Sequence, residues 1–233
     1  MGKFLKSNGW LILIILTAAF FRFWQIEELP GGLFPDEAAN GLDVNSILEG
    51  DIKPFYERGN GREALFFYAL AASVAAFGRG AWQHHVVSAT FGILAVLATY
   101  FLTKRLFGKN VALLSAFFMA VSSYAVTLSR TAFRANTLPL FTTLTMLFLV
   151  KFIQAKNKKD KIYSSILAGV FFGLGFYTYI SYRMMIVFLV GLIALAALAH
   201  RGKIKVLLVS NKKYLTLTFA GFIAAAVEQS RLF

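Results

Sequence analysis

The sequence has no cysteine and few charged residues, and each scarcity excludes a class of protein. Without cysteine there is neither a disulfide framework nor a thiolate metal site. Charged residues make up only 15% of the 233 residues, well below the share in an average soluble domain. Hydrophobic residues make up 58%, and they recur in runs long enough to cross a bilayer. We therefore predict an all-α, polytopic transmembrane helical bundle.

Acidic residues are also scarce, with 11 against 24 lysines and arginines. Nine of the 11 lie in one polar stretch that follows the first apolar run: Glu27, Glu28, Asp36, Glu37, Asp43, Glu49, Asp51, Glu57 and Glu63. The net charge of +13 would suit a nucleic-acid partner. However, the basic residues lie between the apolar runs, as they do in cytoplasmic loops of membrane proteins, so we predict no nucleic acid.

Seven apolar runs are predicted spans, at about 10–26, 86–106, 111–128, 138–153, 162–180, 184–199 and 214–227. An eighth run, 64–77, is too short and is more typical of an interfacial or re-entrant segment. If the N-terminus is cytoplasmic and 64–77 does not span, all three lysine-rich loops face the cytoplasm, as the positive-inside rule requires. We therefore expect 27–85 to be an outer loop with interfacial helices.

The whole chain, 1–233, is predicted to be a single transmembrane domain of a cell-membrane protein. Lys3 and Lys6 precede the first apolar run, but that run continues without a small-residue cleavage site, which favours an uncleaved span. The sequence stops just after an apolar run, so we expect the domain to be truncated at its C-terminus.

Lysine and arginine are distributed differently across this topology. The inner side would carry thirteen of the fourteen lysines, whereas the outer side would carry most of the arginines: Arg22, Arg58, Arg62, Arg79, Arg130, Arg134, Arg183 and Arg231. The planar guanidinium recognises carboxylate and phosphate in a bidentate manner, which an ammonium cannot do. The outer arginines therefore either pair with the loop acids or bind an anionic ligand.

Asp36 and Glu37 open a stretch with a rough amphipathic stripe that ends at Gly50. Asp36 is placed to cap this helix, and equally to act as a general base at the membrane surface. Further along the loop, Arg58, Arg62 and Glu63 flank a glycine-rich turn. They either close that turn or reach back to the Asp36 region or to a ligand.

Arg130 and Arg134 are four residues apart, so on a helical turn they would share one face. Two guanidiniums on one face repel each other unless an anion lies between them, either a phosphate or a loop carboxylate. Tyr179 and Tyr182 follow on the same side, where tyrosines commonly form an aromatic belt, and Arg183 ends that run.

His84 and His85 begin the second span on the outer side. Adjacent residues of a helix point in different directions, which argues against a joint metal site. One of the two could still bind a divalent metal together with loop acids, so a metal cofactor is possible.

Five stretches, in this order and on these sides of the membrane, resemble glycosyltransferase family 39, which includes the protein O-mannosyltransferases and the aminoarabinose lipid A transferases. They are Phe34–Ala38, Asn60–Tyr68, Leu102–Gly108, Ser129–Ala135 and Gly173–Tyr179. The chain resembles the N-terminal membrane part of that family's GT-C fold. Asn60–Tyr68 departs from the family, since many relatives carry His-Pro-Pro there.

The resemblance implies an inverting glycosyltransferase that moves a sugar from a polyprenyl-phosphate donor to a hydroxyl of a lipid, glycan or protein at the outer face. Asp36 would be the base, with Glu37 positioning it or the acceptor. Arg130 would stabilise the phosphate leaving group, helped by Arg134 and Arg183. Further candidates for substrate binding are Arg58, Arg62, Glu63, Tyr179 and Tyr182.

Two other functions stay open on the sequence alone. A transporter or lipid flippase would place ionisable groups on broken helices near the bilayer centre, whereas the predicted span centres here lack charge. A non-catalytic scaffold would leave the pairing of Asp36 with Arg130 unexplained.

Overall fold

The computed structural model describes residues 2–58, 61–199 and 212–226. Its helices are α1 (Gly2–Phe23), α2 (Pro35–Leu48), α3 (Leu65–Phe77), α4 (Ala81–Phe107), α5 (Lys109–Val121), α6 (Ser123–Arg130), α7 (Thr137–Gln154), α8 (Lys158–Gly175), α9 (Met184–Ala199) and α10 (Lys212–Ala226), with short 3₁₀ turns at Arg134–Asn136 and Ile180–Arg183. The strands β1 (Phe55–Tyr56) and β2 (Arg62–Glu63) form a two-residue antiparallel pair. The predicted all-α helical bundle is confirmed.

A helix occupies each of the seven predicted spans, but their lengths differ from the prediction. In the described part of the chain, three helical segments are long and apolar enough to cross a membrane: Ala81–Phe107, Arg134–Gln154 and Ile180–Ala199. A fourth is obtained if α5 and α6 count as one bent span. The basic residues Arg201, Lys203 and Lys205, and the turn residues Gly59 and Asn60, lie outside the described residues.

The predicted span 111–128 is broken rather than continuous. Helices α5 and α6 meet at an angle of 56°, with Ser122 in a non-helical conformation between them. The break deprives the carbonyls of Met119 and Ala120 of their helical partners. Arg22 fills this gap: its guanidinium donates to Ala120 O at 2.9 Å and to Met119 O at 3.2 Å.

From the sequence, Arg22 was predicted to lie among the arginines of the outer side. The structure instead places its side chain inside the bundle. Its side chain is fully buried between α1 and the α5–α6 break, and its Nε also donates to Ser129 Oγ at 3.2 Å. Gly92 of α4 leaves the room for this cluster, because a Cβ there would lie 2.1 Å from Ser129 Oγ.

Helix α4 is the centre of the bundle and packs against α1, α3, α5, α6 and α7. Small residues permit close approach elsewhere. Ala112, Ala116 and Ala120 form a fully buried ridge of α5 in the cluster it shares with α1. On α8, a Cβ at Gly169 would lie 2.0 Å from the main-chain oxygen of Thr218 on α10, so this glycine permits the close contact of the two helices.

Helix α8 ends at Gly175, five residues before the predicted end of the fifth span. Gly175 lies directly against Tyr182, whose ring a Cβ would meet at 2.0 Å. The chain therefore turns early and returns over the end of the bundle. The main-chain oxygen of Tyr177 accepts from Leu65 N at 3.1 Å, which joins this turn to the start of α3. The turn thus brings Tyr179 next to the polar loop.

The loop after α1 forms a cap on one end of the bundle. Helix α3 is a short apolar helix, as the sequence predicted for 64–77, and Phe66, Phe67 and Leu70 are fully buried. These side chains share one core cluster with Val44 of α2 and Tyr56 of β1. The cap is therefore a packed layer, and it holds α2 in a fixed orientation.

Candidate active site

Asp36 lies in the first turn of α2, where the sequence predicted a functional carboxylate. Helix α2 begins at Pro35, with Phe34 as the residue before it, so the prediction of Asp36 as the N-cap is wrong. Glu37 performs the capping instead, because its Oε2 accepts from Phe34 N at 2.8 Å. Asp36 is exposed and makes no hydrogen bond or ion pair to the part of the chain that the structure describes.

Glu37 is fully buried and ties α2 to two other elements. Its Oε1 accepts from Ala132 N, and its Oε2 lies 3.6 Å from His85 Nε2 on α4. Burial alone would raise the pKa of Glu37, but His85 and the main-chain N–H groups of Phe34 and Ala132 outweigh it and lower that pKa. Glu37 is thus an ionised anchor beside Asp36, and it does not line the cavity described below.

A second polar cluster fixes the next turns of α2. Asn40 donates to Ala132 O at 3.1 Å and accepts from Arg62 at 2.7 Å. Asp43 accepts from Arg62 at 2.6 Å and from Arg58 Nε at 3.0 Å. Arg58 and Arg62 thus reach back to α2. From the sequence, this contact was the alternative to closing their own turn.

Asp36 faces a cavity of about 430 Å³ between α2, the 58–62 turn and the segment after α6. Its lining residues are Asp36, Ala39, Asn40, Arg58, Arg62, Leu128, Phe133, Arg134, Ala135 and Tyr179. Asp36 is the one carboxylate among them, and three arginines share the wall with it. The cavity therefore combines the Asp36 carboxylate, which has no partner among the described residues, with the positive charge of three arginine side chains.

The three arginines differ in how many of their guanidinium N–H groups are bound by other protein groups. Arg62 is buried, its pKa is lowered by that burial, and its guanidinium nitrogens donate to four protein oxygens. Arg134 pairs with Glu63 at 2.7 Å and lies over the rings of Phe67 and Tyr179, each 5.8 Å from its Cζ. Arg58 is half exposed, and within the described ranges its guanidinium donates through Nε alone, to Asp43.

Arg130 and Arg134 do not share a face, so that prediction is wrong. Helix α6 ends at Arg130, and Thr131 and Phe133 are extended, which turns the two side chains apart. Arg130 donates to Phe21 O at 3.0 Å and to Leu29 O at 2.6 Å, at the end of α1. Arg130 is not among the residues that line the Asp36 cavity.

Two further candidates also lie away from the cavity. Tyr182 is buried in the bundle, where its hydroxyl lies 2.9 Å from Thr145 Oγ1. Arg183 is exposed and is not among the lining residues. The lining residue that the sequence predicted in this segment is therefore Tyr179.

Sequence reasoning missed the roles of Asn40 and Asp43. A signal for them was present, because Asp36, Asn40 and Asp43 are spaced four and three residues apart and so lie along one face of α2.

For a metal, the described residues contain no group of three His, Asp or Glu side chains that could hold one.

The sequence model of one protein family matches residues 64–228, which is well over half of the chain. That family is described as dolichyl-phosphate-mannose-protein mannosyltransferase. The chain belongs to this mannosyltransferase family. The matched region begins directly after Glu63. It includes Arg134 and Tyr179, whereas Asp36 precedes it. Membership confirms the resemblance to glycosyltransferase family 39 that the sequence stretches indicated.

Individual relatives agree with this membership in the mannosyltransferase family. The chain is 27% identical over 230 residues to the "Putative mannosyltransferase YkcB" of Bacillus subtilis (strain 168), covering 94% of this chain and 30% of YkcB. Crystal structures of ArnT from Cupriavidus metallidurans share the fold, with TM-scores of 0.77 in the apo state and 0.78 with undecaprenyl phosphate bound. Their identities are 16% and 14%, and each alignment covers 97% of this chain.

The chain spans less than half the length of these relatives. It corresponds to 30% of YkcB and to 42% and 41% of the two ArnT chains. The likeness to ArnT establishes a GT-C membrane fold for this part of the protein.

Proposed function

We propose that this domain carries the catalytic site of a glycosyltransferase that moves a sugar from a polyprenyl-phosphate carrier to an acceptor hydroxyl. The observation that carries the proposal is the exposed carboxylate of Asp36, which has no hydrogen-bond or ion-pair partner among the described residues and shares its cavity with Arg58, Arg62 and Arg134. Family membership supports the reaction class, and the ArnT structure that holds undecaprenyl phosphate supports a polyprenyl-phosphate ligand.

Asp36 is assigned the role of general base. The acceptor hydroxyl attacks the anomeric carbon, the bond from that carbon to the phosphate oxygen breaks, and the hydroxyl proton passes to Asp36. Attack opposite the leaving phosphate inverts the anomeric centre. The buried Glu37 next to it holds the first turn of α2 in place, so we assign Glu37 a positioning role.

The arginines are assigned to the leaving group. Negative charge grows on the phosphate in the transition state, and fixed cations at that position lower the barrier without reorganisation. Arg134 and Arg58 each keep guanidinium N–H groups beyond those used by Glu63 and Asp43. Arg62 is saturated by protein oxygens, so we assign it to the scaffold of the site.

The topology proposed from the basic loops places this cavity at the outer face of the cell membrane, with the N-terminus in the cytoplasm. There the acceptor would be a lipid, glycan or protein hydroxyl. A divalent metal stays a prediction from the sequence.

The alternative of a transporter or lipid flippase would use the broken span α5–α6 as a substrate site. That break is occupied by Arg22, whose guanidinium satisfies the freed carbonyls. The position of Asp36 at one end of the bundle favours surface chemistry over passage through it.

The test is sugar transfer by the full-length protein with synthetic polyprenyl-phosphate hexoses and aminopentoses as donors. We expect Asp36→Asn to lower turnover by about 100-fold or more, since loss of a general base costs on that order. Asp51→Asn is the matched control, because Asp51 is an exposed loop acid paired with Lys53. Equal turnover in wild type and Asp36→Asn would remove Asp36 from the mechanism.

A further inference from the structure

A second, basic cavity lies at the end of the bundle opposite Asp36. It has a volume of about 540 Å³ and forms where α4 and α7 end and α8 begins. Its lining includes three cations, Arg105, Lys151 and Lys156, and one acid, Asp160. Helix α4 alone separates the two ends by about 40 Å, from its length and the helical rise. This cavity is therefore distinct from the candidate active site.

The three cations of this cavity have no acidic partner in the described ranges. The acid of the cavity, Asp160, is hydrogen-bonded to Asn157. Asp160 Oδ2 lies 2.8 Å from Asn157 Nδ2, and the main-chain N–H of Asp160 donates to Asn157 Oδ1 at 2.7 Å. Gln154 donates to the main-chain oxygen of Arg105 and so holds α7 against the end of α4. The cavity thus carries an uncompensated positive charge that suits an anion.

An apolar groove of about 540 Å³ lies next to this cavity. Lys151 lines both, so the two adjoin at its side chain. The α4 wall of the groove is one face of that helix, formed by Phe91, Leu94, Leu97, Ala98 and Phe101. Ten residues of helix correspond to about 15 Å. That is half the thickness of the hydrocarbon core, the length available to one leaflet's acyl chain.

We propose that this groove and cavity bind an anionic phospholipid of the adjacent leaflet. Its phosphate would lie among Arg105, Lys151 and Lys156, and one acyl chain would lie along the groove between α4 and α7. Basic pockets between transmembrane helices recognise anionic head groups in this way. The proposal is independent of the glycosyltransferase function proposed above.

The position of Lys151 separates this site from an ordinary row of topogenic charges. Such charges need only lie in the loops. Lys151 instead lies within α7, nearly one turn before its end, with its Nζ 4.6 Å from the centroid of the Phe148 ring. Phe148 in turn stacks on Phe171 of α8 at 5.3 Å. A cation held at the mouth of an aromatic groove fits a lipid phosphate with its chain better than a free anion.

The test is native mass spectrometry of the full chain in dodecyl maltoside, titrated with dioleoyl phosphatidylglycerol or dioleoyl phosphatidylcholine. We expect phosphatidylglycerol to bind about tenfold more tightly than phosphatidylcholine, and R105Q/K151Q to remove that preference. The control K158Q/K159Q removes the same charge from exposed positions of α8 outside the cavity and should keep the preference. Leu94→Trp, which narrows the groove and keeps the cations, should weaken phosphatidylglycerol binding several-fold.

Three outcomes would overturn the proposal. One is an equal loss in K158Q/K159Q, which would mean diffuse attraction to a basic end. Another is an unchanged preference in R105Q/K151Q. The third is displacement of phosphatidylglycerol by glycerol 3-phosphate at concentrations similar to those of the lipid, which would identify a free-anion site. Thermal melting of each variant separates these outcomes from loss of fold.

Discussion

Arg22 donates a hydrogen bond of 2.9 Å to the main-chain oxygen of Ala120, where α5 ends and the chain bends into α6. A second bond reaches Met119 O, and Nε reaches Ser129 Oγ. A side chain from α1 thus replaces the helical hydrogen bonds that the bend removes. In an apolar environment, carbonyls without such a partner would be costly.

We expect Arg22→Met to destabilise the protein by about 2–4 kcal/mol, since it removes charged hydrogen bonds and leaves buried carbonyls unpaired. The measurement is the unfolding temperature in detergent. Arg79→Met is the control, because Arg79 is exposed in the loop before α4. If both variants melt like wild type, Arg22 does not hold the break.

Glu37 should make stability depend on pH in the acid range. Its pKa is lowered in the folded state, so the stability it supplies is present above its unfolded pKa of about 4.3 and is lost as pH falls through the folded pKa. Wild type should therefore lose melting temperature below about pH 4.3, and Glu37→Gln should lose less over the same interval.

At neutral pH, Glu37→Gln should itself cost about 1–3 kcal/mol, because a neutral amide replaces a buried carboxylate that accepts two main-chain N–H groups. Glu49→Gln is the control, because Glu49 is an exposed carboxylate at the residue that follows α2. Parallel pH curves for wild type and Glu37→Gln would contradict the role of this carboxylate.

Gly169 offers a test of the α8–α10 contact. A Cβ there would lie 2.0 Å from Thr218 O, a main-chain atom that cannot rotate away. Gly169→Ala should therefore lower the free energy of unfolding by about 1–3 kcal/mol through overpacking strain, and the unfolding temperature should fall with it. Gly191→Ala makes the same change in α9, where nothing lies within 4 Å of the added carbon. That control should be neutral or slightly stabilising, because alanine is the better helix former.

The helical class, the approximate positions of the seven apolar helical segments and the short helix at 64–77 followed from the sequence because the length of a bilayer span constrains them directly. Asp36 was predicted as a site residue from its place near a helix start in the acidic loop and from the family resemblance, and it lines a cavity together with three arginines. The arginine geometry did not follow. Whether Arg130 and Arg134 face the same way depends on the end of α6 at Arg130 and on the extended residues after it. That end is set by tertiary contacts to α1 and α2.

The same limit applies to the break at Ser122 and to the early end of α8 at Gly175. Both points lie inside apolar runs that the sequence predicted to be continuous. A local signal exists at the first, because the Ser122 side chain accepts from Ala125 N at 3.4 Å and so caps α6. The partners that meet the two interruptions, Arg22 for α5 and Tyr182 for α8, are not visible in the local sequence pattern.

Arg130, the last residue of α6, and Arg134, just after that helix, should differ in their effects on kcat. Arg134 lines the Asp36 cavity, whereas Arg130 donates to Phe21 O in α1 and to Leu29 O in the loop after it. If Arg134 stabilises the leaving phosphate, Arg134→Gln should lower kcat by about 100-fold, a size typical of losing one transition-state donor. Arg130→Gln should affect melting temperature more than kcat. The measurement is sugar transfer from a polyprenyl-phosphate donor by the full-length protein, with melting curves for each variant.

Glu63 needs its own control in that experiment, because Arg134→Gln leaves its buried carboxylate without a partner. The double variant Arg134→Gln/Glu63→Gln removes both charges and should recover stability while kcat stays low. Recovery of kcat together with stability would assign Arg134 a purely structural role. A larger kcat loss in Arg130→Gln than in Arg134→Gln would instead return the leaving-group role to Arg130, the residue that the family resemblance implied.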